Sequence, residues 1–389
     1  MLQAEVRRPR ALADEDIAAW RAFQAADPAF ANPLLGPDFA RLVDEVREDA
    51  RVAVFRREGR AVGFLPFHSR LGAVAQPIGA AFSDYHALVA APGERIDGLQ
   101  ALAAARVGAI RFAGLIDPHG AFPAKPSEVS GFVIAPGSDV EAHRTALREA
   151  NPKRFKNWRR LGNKLEREWG PIEVVADDRS PDAFELLLEW KRDQFRRTGA
   201  HDMLRPEWAR RLFQRIFEAP SGELRGVMTT LKAGGKVVAG HFGVAAGGVA
   251  HIWLSSMDPD AAACGPGTVL MLETAEVMQA LGLTVYDLGP SHDHYKAPFA
   301  TGTVAVSEGL MIAKGAAGLA ARTQDRAWAL AGDRRVDAVG RLRRRLDHIA
   351  GAEMSMGGQV RGVVEALAGY GRRSATRAPA RAESAPEDA

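Results

Sequence analysis

The sequence predicts a mixed α/β protein (α+β in the broad sense) built as two successive halves, and three observations carry that prediction. At 389 residues the chain exceeds a single domain of about 100–200 residues. Amphipathic stretches of helical period alternate with runs of period two that end in glycine-bearing turns. Each half runs through helices first and strands second, as a duplicated domain would. The composition, 47% hydrophobic and 25% charged, is that of a folded globular chain and excludes the disordered and fibrous classes.

In the first half, helical patterns cover Asp14 to Phe23 and Pro37 to Glu48, the latter with Phe39, Leu42, Val43 and Val46 on one face. Arg51 to Phe55 and Ala61 to Phe67 alternate around Glu58-Gly59 as a hairpin. An Ala-rich helix over Asp97 to Arg106 and short strands at Ile110–Phe112 and Phe132–Ile134 complete residues 1–145. Gly137 to Pro152 marks the boundary. A basic helix starts near Pro152, with Phe155, Trp158, Leu161, Leu165 and Trp169 in one stripe. Ser180-Pro181 starts a helix that stops at Gly199, because Ser caps and Pro suits the first turn. Another helix covers Pro206 to Glu218. Leu224–Leu231, Val237–Ala246 and Val249–Met257 read as a meander, followed by one helix from Thr268 to Leu281 and strands Leu283–Leu288 and Thr303–Ala313. Residues 146–315 form the second half. Residues 316–389 form an Arg-rich tail, helical from Ala316 to Ala350 and disordered from about residue 371.

Net charge is +3, but the tail alone holds 13 arginines, no lysine and 9 acids. A second basic block, Arg144 to Trp169, sets nine Lys/Arg against three acids. Two local positive surfaces are therefore expected without a DNA-binding character overall. The single cysteine, Cys264, leaves no internal disulfide and no thiolate metal cluster, so a reducing, cytoplasmic compartment and no metal cofactor are expected. The first 16 residues lack the apolar core of a signal peptide.

Two passages concentrate chemistry. Cys264-Gly265-Pro266-Gly267-Thr268 opens a helix, where backbone N–H groups and the helix dipole favour a phosphate; the same pattern also serves as a plain helix-entry turn. Leu283 to Phe299 places Asp287, His292, Tyr295 and Lys296 at and beyond a strand end, where scaffolds present reactive groups. His292 and His294 lack a third anchor for a metal. The polar island Ser83-Asp84-Tyr85-His86 reads either as a capped turn or as a substrate contact. His241 on a strand and Trp190-Lys191 on a helix are each readable as core or as substrate-binding.

The segments AGHFGV, AHIWLSSMD, CGPGTVLMLETAEVMQALG and YDLGPSHDHYKAPFATG follow one another as in the CelD/BcsL-like acetyltransferases, a family of the GNAT superfamily related to the FemAB aminoacyltransferases. ANPLLGPDFARLVDE, AVFRREGRAVGFLPFH, FSDYHALV and EWKRDQFRRTGA resemble its other signatures, so the likeness spans roughly Ala18 to Lys314. The resemblance implies tandem GNAT-like domains, each a mixed sheet flanked by helices, with acetyl-CoA as acyl donor in the second. It implies an N-acyltransferase acting on an amino sugar of a bacterial exopolysaccharide or its lipid-linked precursor. Carried over, Gly265, Gly267 and the N–H groups of Thr268 and Val269 cradle the diphosphate, with Lys296 on a phosphate or the thioester oxygen. The sequence departs at the first loop position, where Ala262 replaces Gln or Arg.

Acyl transfer needs a proton acceptor for the attacking amine and a donor for the departing thiolate. Asp287 is the expected base or substrate anchor, His292 its competitor and Tyr295 the expected acid. Asp84, Tyr85, His241, Trp190 and Lys191 are expected on the acceptor. Two alternatives are a FemAB-like transferase using aminoacyl-tRNA and a non-catalytic GNAT-derived binding protein. In the tail, Arg341, Arg344, Arg345, Arg373 and Arg377 are candidates for an anionic membrane surface or cyclic di-GMP, because arginine makes planar bidentate contacts. Peripheral attachment at the inner membrane would follow from the former.

Overall fold

A computed structural model of the chain describes residues 1–69, 74–198, 201–219, 222–291 and 295–331, with the single positions 349, 351, 353 and 357. The expected tail residues Arg341, Arg344, Arg345, Arg373 and Arg377, and His292, lie outside the described residues.

The first half runs β1 (Gln3–Arg7), α1 (Asp14–Ala26), α2 (Pro37–Val46), β2 (Ala50–Arg57), β3 (Arg60–His68), β4 (Gln76–Pro77), β5 (Val89–Ala90), α3 (Gly98–Ala104), β6 (Ala109–Leu115) and β7 (Lys125–Ile134). The β2–β3 hairpin closes through Glu58 and Gly59, at φ 52° and 81°, the two successive left-handed residues that match the twist of paired strands. Asp97 caps α3 by accepting from Gln100 N–H at 3.0 Å.

The second half runs α4 (Val140–Ala150), α5 (Pro152–Trp169), β8 (Ile172–Val175), α6 (Pro181–Thr198), α7 (Glu207–Phe217), β9 (Arg225–Ala233), β10 (Lys236–Ala246), β11 (Val249–Met257), α8 (Pro266–Leu272), α9 (Thr274–Leu281), β12 (Val285–Ser291), β13 (Gly302–Ile312) and α10 (Leu319–Ala331). Ser180 Oγ accepts from Ala183 N–H at 3.2 Å and Pro181 opens α6, the cap and first-turn pair read from the sequence. The helix expected from Thr268 to Leu281 is two helices, starting at Pro266 and broken at Glu273. At the break, the Thr274 hydroxyl donates to Leu270 O at 3.4 Å and so competes for a carbonyl of the helix ladder.

Five strands, β1-β2-β3-β4 with β5 also on β3, make the smaller sheet. The larger sheet has the order β6-β13-β7-β12-β11-β10-β9-β8, mixed because β11 and β12 alone pair in parallel. Sheet pairing therefore does not break near residue 145. β7 is inserted between β12 and β13, and β6 forms the edge beyond β13, so two strands of the first half complete the sheet of the second. Sequence spacing carries no information on this exchange, because β6 and β7 alternate the same way in either sheet.

One hydrophobic core also joins the halves. Trp20, Phe39 and Phe64 belong to the same buried cluster as Phe184, Leu212, Phe242 and Leu254. Trp20 stacks on Phe64 at 5.0 Å and donates its indole N–H to Leu35 O at 2.9 Å, satisfying its one polar atom. The opposite face of the large sheet is covered by α5, α8 and α9, with Trp158 stacked on Phe299 at 4.3 Å. Arg47 donates to Gly351 O at 3.0 Å and Arg205 to Glu353 at 2.7 Å, so Gly351 meets the first half and Glu353 the second.

Candidate active site

The parallel pair β11–β12 is short. It runs Val249↔Val285, Ala250↔Tyr286 and His251↔Asp287 and then ends. Past that point β11 continues along β10 to Met257, while β12 turns through a bulge between Asp287 and Pro290 and continues along β7. Two central strands thus diverge, leaving one edge of β11 from Ile252 onward without a strand partner among the described residues. Gly289, at φ +73°, sits at the bulge; a Cβ there would lie 2.7 Å from Asp84 Oδ2.

At the closed end of the divergence lies a buried polar cluster drawn from both halves. Asp287, 3% exposed, accepts from the Tyr85 hydroxyl at 3.0 Å, from Asn32 Nδ2 at 3.1 Å and from Gly289 N–H at 2.8 Å. His251, fully enclosed, has Nε2 at 2.9 Å from Asp84 Oδ2 and Nδ1 at 3.1 Å from Asn32 Nδ2. Asp84 is the member that reaches solvent, its side chain 39% exposed. The cluster has an enclosed side, at Asp287 and Tyr85, and an accessible carboxylate backed by an imidazole.

Burial opposes charge on His251, yet hydrogen bonding to Asp287 and Asp84 pushes its pKa up to about 9. The Asn32 amide points the other way. Its oxygen accepts from Leu34 N–H at 3.0 Å, so its NH2 faces His251 Nδ1, and an imidazolium would set two N–H donors against each other. Leu34 and Asp287 hold the amide from both sides, while Nδ1 also lies 3.6 Å from Asp287 Oδ1, so the ring is flanked by two carboxylates. The two carboxylates thus favour a proton on the ring, and Nε2 directs one toward Asp84. Burial, then Asp287, keeps the Tyr85 phenol protonated by raising its pKa.

Of the residues expected from sequence, Asp84, Tyr85 and Asp287 come together here. Asp287, expected as base or substrate anchor, has its carboxylate enclosed and already engaged by three donors. Tyr295 lies half exposed, at 49%, on the turn after β12. Lys296 donates to Leu288 O at 2.7 Å. His241 is buried with Nδ1 2.9 Å from the Tyr286 hydroxyl, on the sheet face away from Asp287. Trp190 packs against the core and Lys191 sits over Phe195 at 5.6 Å on the same helix, neither joined to the cluster. Cys264 is buried, its thiol 3.3 Å from Glu168.

The glycine loop also differs from expectation. Gly265 adopts the left-handed conformation that starts α8, at φ 59°. The N–H groups of Thr268 and Val269 do not point outward; both donate to Gly265 O, at 3.0 and 3.2 Å. Pro266 has no N–H, so Gly267 carries the amide left without a partner among the described residues.

Asn32, His251 and the accommodating glycines escaped the sequence reading. Asn32 opens the short turn Pro33–Leu35, and His251 sits in the longest uncharged stretch of the chain, which was the one available hint.

Burial lowers the pKa of His86 to about 4, and burial together with Lys296 lowers that of His241 to about 4. Both rings are therefore neutral in the fold, and their contribution is present above an unfolded value near 6.5 and lost as pH falls toward 4. At 1.36 kcal/mol per pKa unit, each should remove about 3 kcal/mol of stability over that window. Asp49 adds to the loss at lower pH: despite burial, His68 and Arg47 hold its pKa well below the usual carboxylate range. Urea unfolding as a function of pH should therefore weaken steeply from 6.5 to 4; a flat profile would contradict the buried neutral rings.

Residues 152–297 match the family model described as acetyltransferase (GNAT) domain. This segment is similar to a GNAT-type acetyltransferase domain. It contains β11, α8 and β12, and hence the strand divergence with His251 and Asp287; Asn32, Asp84 and Tyr85 reach the GNAT domain from outside it. Among solved structures, FemX is similar with a TM-score of 0.49 at 11% identity, over 79% of this chain and 96% of that one. A tandem GNAT protein from the clavulanic acid biosynthesis pathway scores 0.45 at 13% identity, covering 81% and 100%. L-PGS from Bacillus licheniformis scores 0.46 at 11% identity, covering 82% and 95%. No curated protein matches the chain.

Proposed function

We propose that this protein is an N-acyltransferase that moves an acyl group from a coenzyme A thioester, acetyl-CoA first among them, to the amine of an amino sugar. The glycan context, a cell-surface polysaccharide or its lipid-linked precursor made at the cytoplasmic side of the inner membrane, comes from the CelD/BcsL-like resemblance. The observation that carries the reading is the divergence of β11 and β12 in a GNAT domain, with the Asp84–His251 pair at its closed end.

The edge of β11 from Ile252 onward fits the amide-bearing arm of a coenzyme A thioester, and Gly267 N–H is the amide available to a phosphate oxygen. Such a donor supplies an activated carbonyl. A C–N bond forms as the C–S bond breaks, and the nitrogen must shed a proton. Asp84 is accessible and receives it, with His251 Nε2 holding its carboxylate in place. Tyr85, Asp287 and Asn32 hold that pair in place. Tyr295, at the end of β12, is assigned to protonate the departing thiolate.

Gly267→Asp tests the donor. A Cβ at this position meets only Met257 Sδ, at 3.9 Å, so the side chain fits. A carboxylate in the first turn of a helix is stabilising by about 0.3–1 kcal/mol, so the fold should persist. The same charge should abolish the thermal shift induced by acetyl-CoA; a variant still stabilised by acetyl-CoA would refute this donor site. A second reading, transfer from aminoacyl-tRNA, draws on the engaged amides of Thr268 and Val269, which leave a reduced diphosphate cradle. Release of CoA thiol against deacylation of aminoacyl-tRNA separates the two.

A further inference from the structure

We propose that the outward face of α5 is a docking surface for an anionic phospholipid bilayer. This goes beyond acyl transfer and does not depend on it.

Residues 152–165 contain six cations, Lys153, Arg154, Lys156, Arg159, Arg160 and Lys164, and no acid. The apolar stripe of the helix faces inward, with Trp158 and Leu165 buried, so the cations stand outside. Lys153, Arg154, Lys156 and Arg159 have no ion pair or side-chain hydrogen bond among the described residues. Arg160 reaches only Asn157, whereas Lys164 is engaged by Ala263 O and Glu168.

Helix stability does not account for this arrangement. The N-terminal end of a helix carries a partial positive charge that favours acids. α5 has no acid in its first turn and instead places Lys153, Arg154 and Lys156 at that end. α4 and α9, by contrast, carry Glu141 and Glu276 in their first turns. A local rule broken without a partner inside the fold points to a partner outside it.

The position of the helix says where such a partner would lie. At one end, Trp158 stacks on Phe299 and Asn151 donates to Pro298 O at 3.4 Å, in the loop that carries Tyr295. Further along, Lys164 donates to Ala263 O at 3.0 Å and Leu161 packs under Gly265. α5, about 27 Å long at 1.5 Å per residue, thus links the loops that follow β11 and β12. Those loops carry or adjoin two exposed large apolar side chains, Tyr295 at 49% and Met257 at 42%. Cations on a helix that links loops bearing an exposed Tyr and Met suit a lipid interface, where headgroup phosphates meet the charges. Methionine adds nothing toward a nucleic-acid backbone, so a lipid surface is favoured over tRNA. No helix among the described residues is long and apolar enough to cross a membrane, so this attachment would be electrostatic and reversible.

The test is co-sedimentation of the full chain with vesicles of phosphatidylcholine containing one-third phosphatidylglycerol, against phosphatidylcholine alone. Binding to the anionic vesicles alone, weakened by added salt, is expected. The quadruple variant Lys153→Gln, Arg154→Gln, Lys156→Gln, Arg159→Gln should bind several-hundredfold more weakly, at roughly fivefold per cation, with an unchanged or raised melting temperature. The variant keeps the Arg-rich tail, so undiminished vesicle binding by it would overturn the assignment to α5. Equal binding to both vesicle types, no binding by the unmodified protein, or α5-dependent binding to tRNA alone would each overturn the proposal.

Discussion

Asp287→Asn should both destabilise the protein and abolish the proposed acyl transfer. The carboxylate takes three donors on two oxygens, Tyr85 and Gly289 N–H on Oδ1 and Asn32 on Oδ2. An amide of the same shape must turn its NH2 toward one set of these donors, leaving at least one buried polar group facing another donor. Removing one partner of a buried, charge-assisted cluster costs about 3–5 kcal/mol, because the remaining groups stay desolvated without their acceptor. Tyr85 and Asn32 then lose their anchor, and with Asn32 goes the contact that orients His251. A displacement of about 1 Å at reacting groups is enough for a loss on the order of 100-fold in kcat. Asp84→Asn supplies the contrast: its side chain is 39% exposed, so activity should fall while the melting temperature stays close to that of the unmodified protein. Equal losses of stability in the two variants would mean that enclosed and accessible carboxylates do not play separate roles.

Gly131→Ala should be similarly severe, although no charge changes. A Cβ on Gly131 would stand 1.9 Å from the Tyr85 hydroxyl oxygen and 3.0 Å from Cζ. The strand cannot retreat, because β7 is hydrogen-bonded on both sides, to β12 and to β13. Tyr85 must move instead, and its bond to Asp287 breaks. Overpacking of this kind costs about 1–3 kcal/mol, to which the lost hydrogen bond adds. Removing the offending oxygen should relieve the clash, so Gly131→Ala with Tyr85→Phe should be more stable than the sum of the single changes implies. Double-mutant analysis of unfolding checks this; strictly additive effects would show that the two groups do not meet.

These variants mark the boundary between what was legible in the sequence and what was not. The hairpin at Glu58-Gly59, the capped start of α6 and the buried stripe of α5 follow from turn chemistry, capping and period, which act between residues a few positions apart. Asp84, Tyr85 and Asp287 stood out because polar side chains interrupt apolar surroundings. Asn32 did not, since an Asn-Pro pair reads as a turn in any context, and its second task toward His251 lies 219 positions away. The single helix expected over Thr268 to Leu281 failed for a different reason: helical period persists across a break made by one side-chain hydroxyl.

By itself the sequence determined most of the helices, the β2–β3 hairpin, the mixed α/β class and the concentration of charge on α5, because each depends on local dihedral preference, period or count; α4, inside the stretch Gly137 to Pro152 read as a boundary, escaped it. Only the tertiary structure decided that β6 and β7 complete the second sheet, that the amides of Thr268 and Val269 turn inward, and that Asp84 rather than Asp287 meets solvent. The physical reason is that strand partners and the accessibility of a carboxylate are set by groups distant along the chain, about which neighbouring residues carry no information.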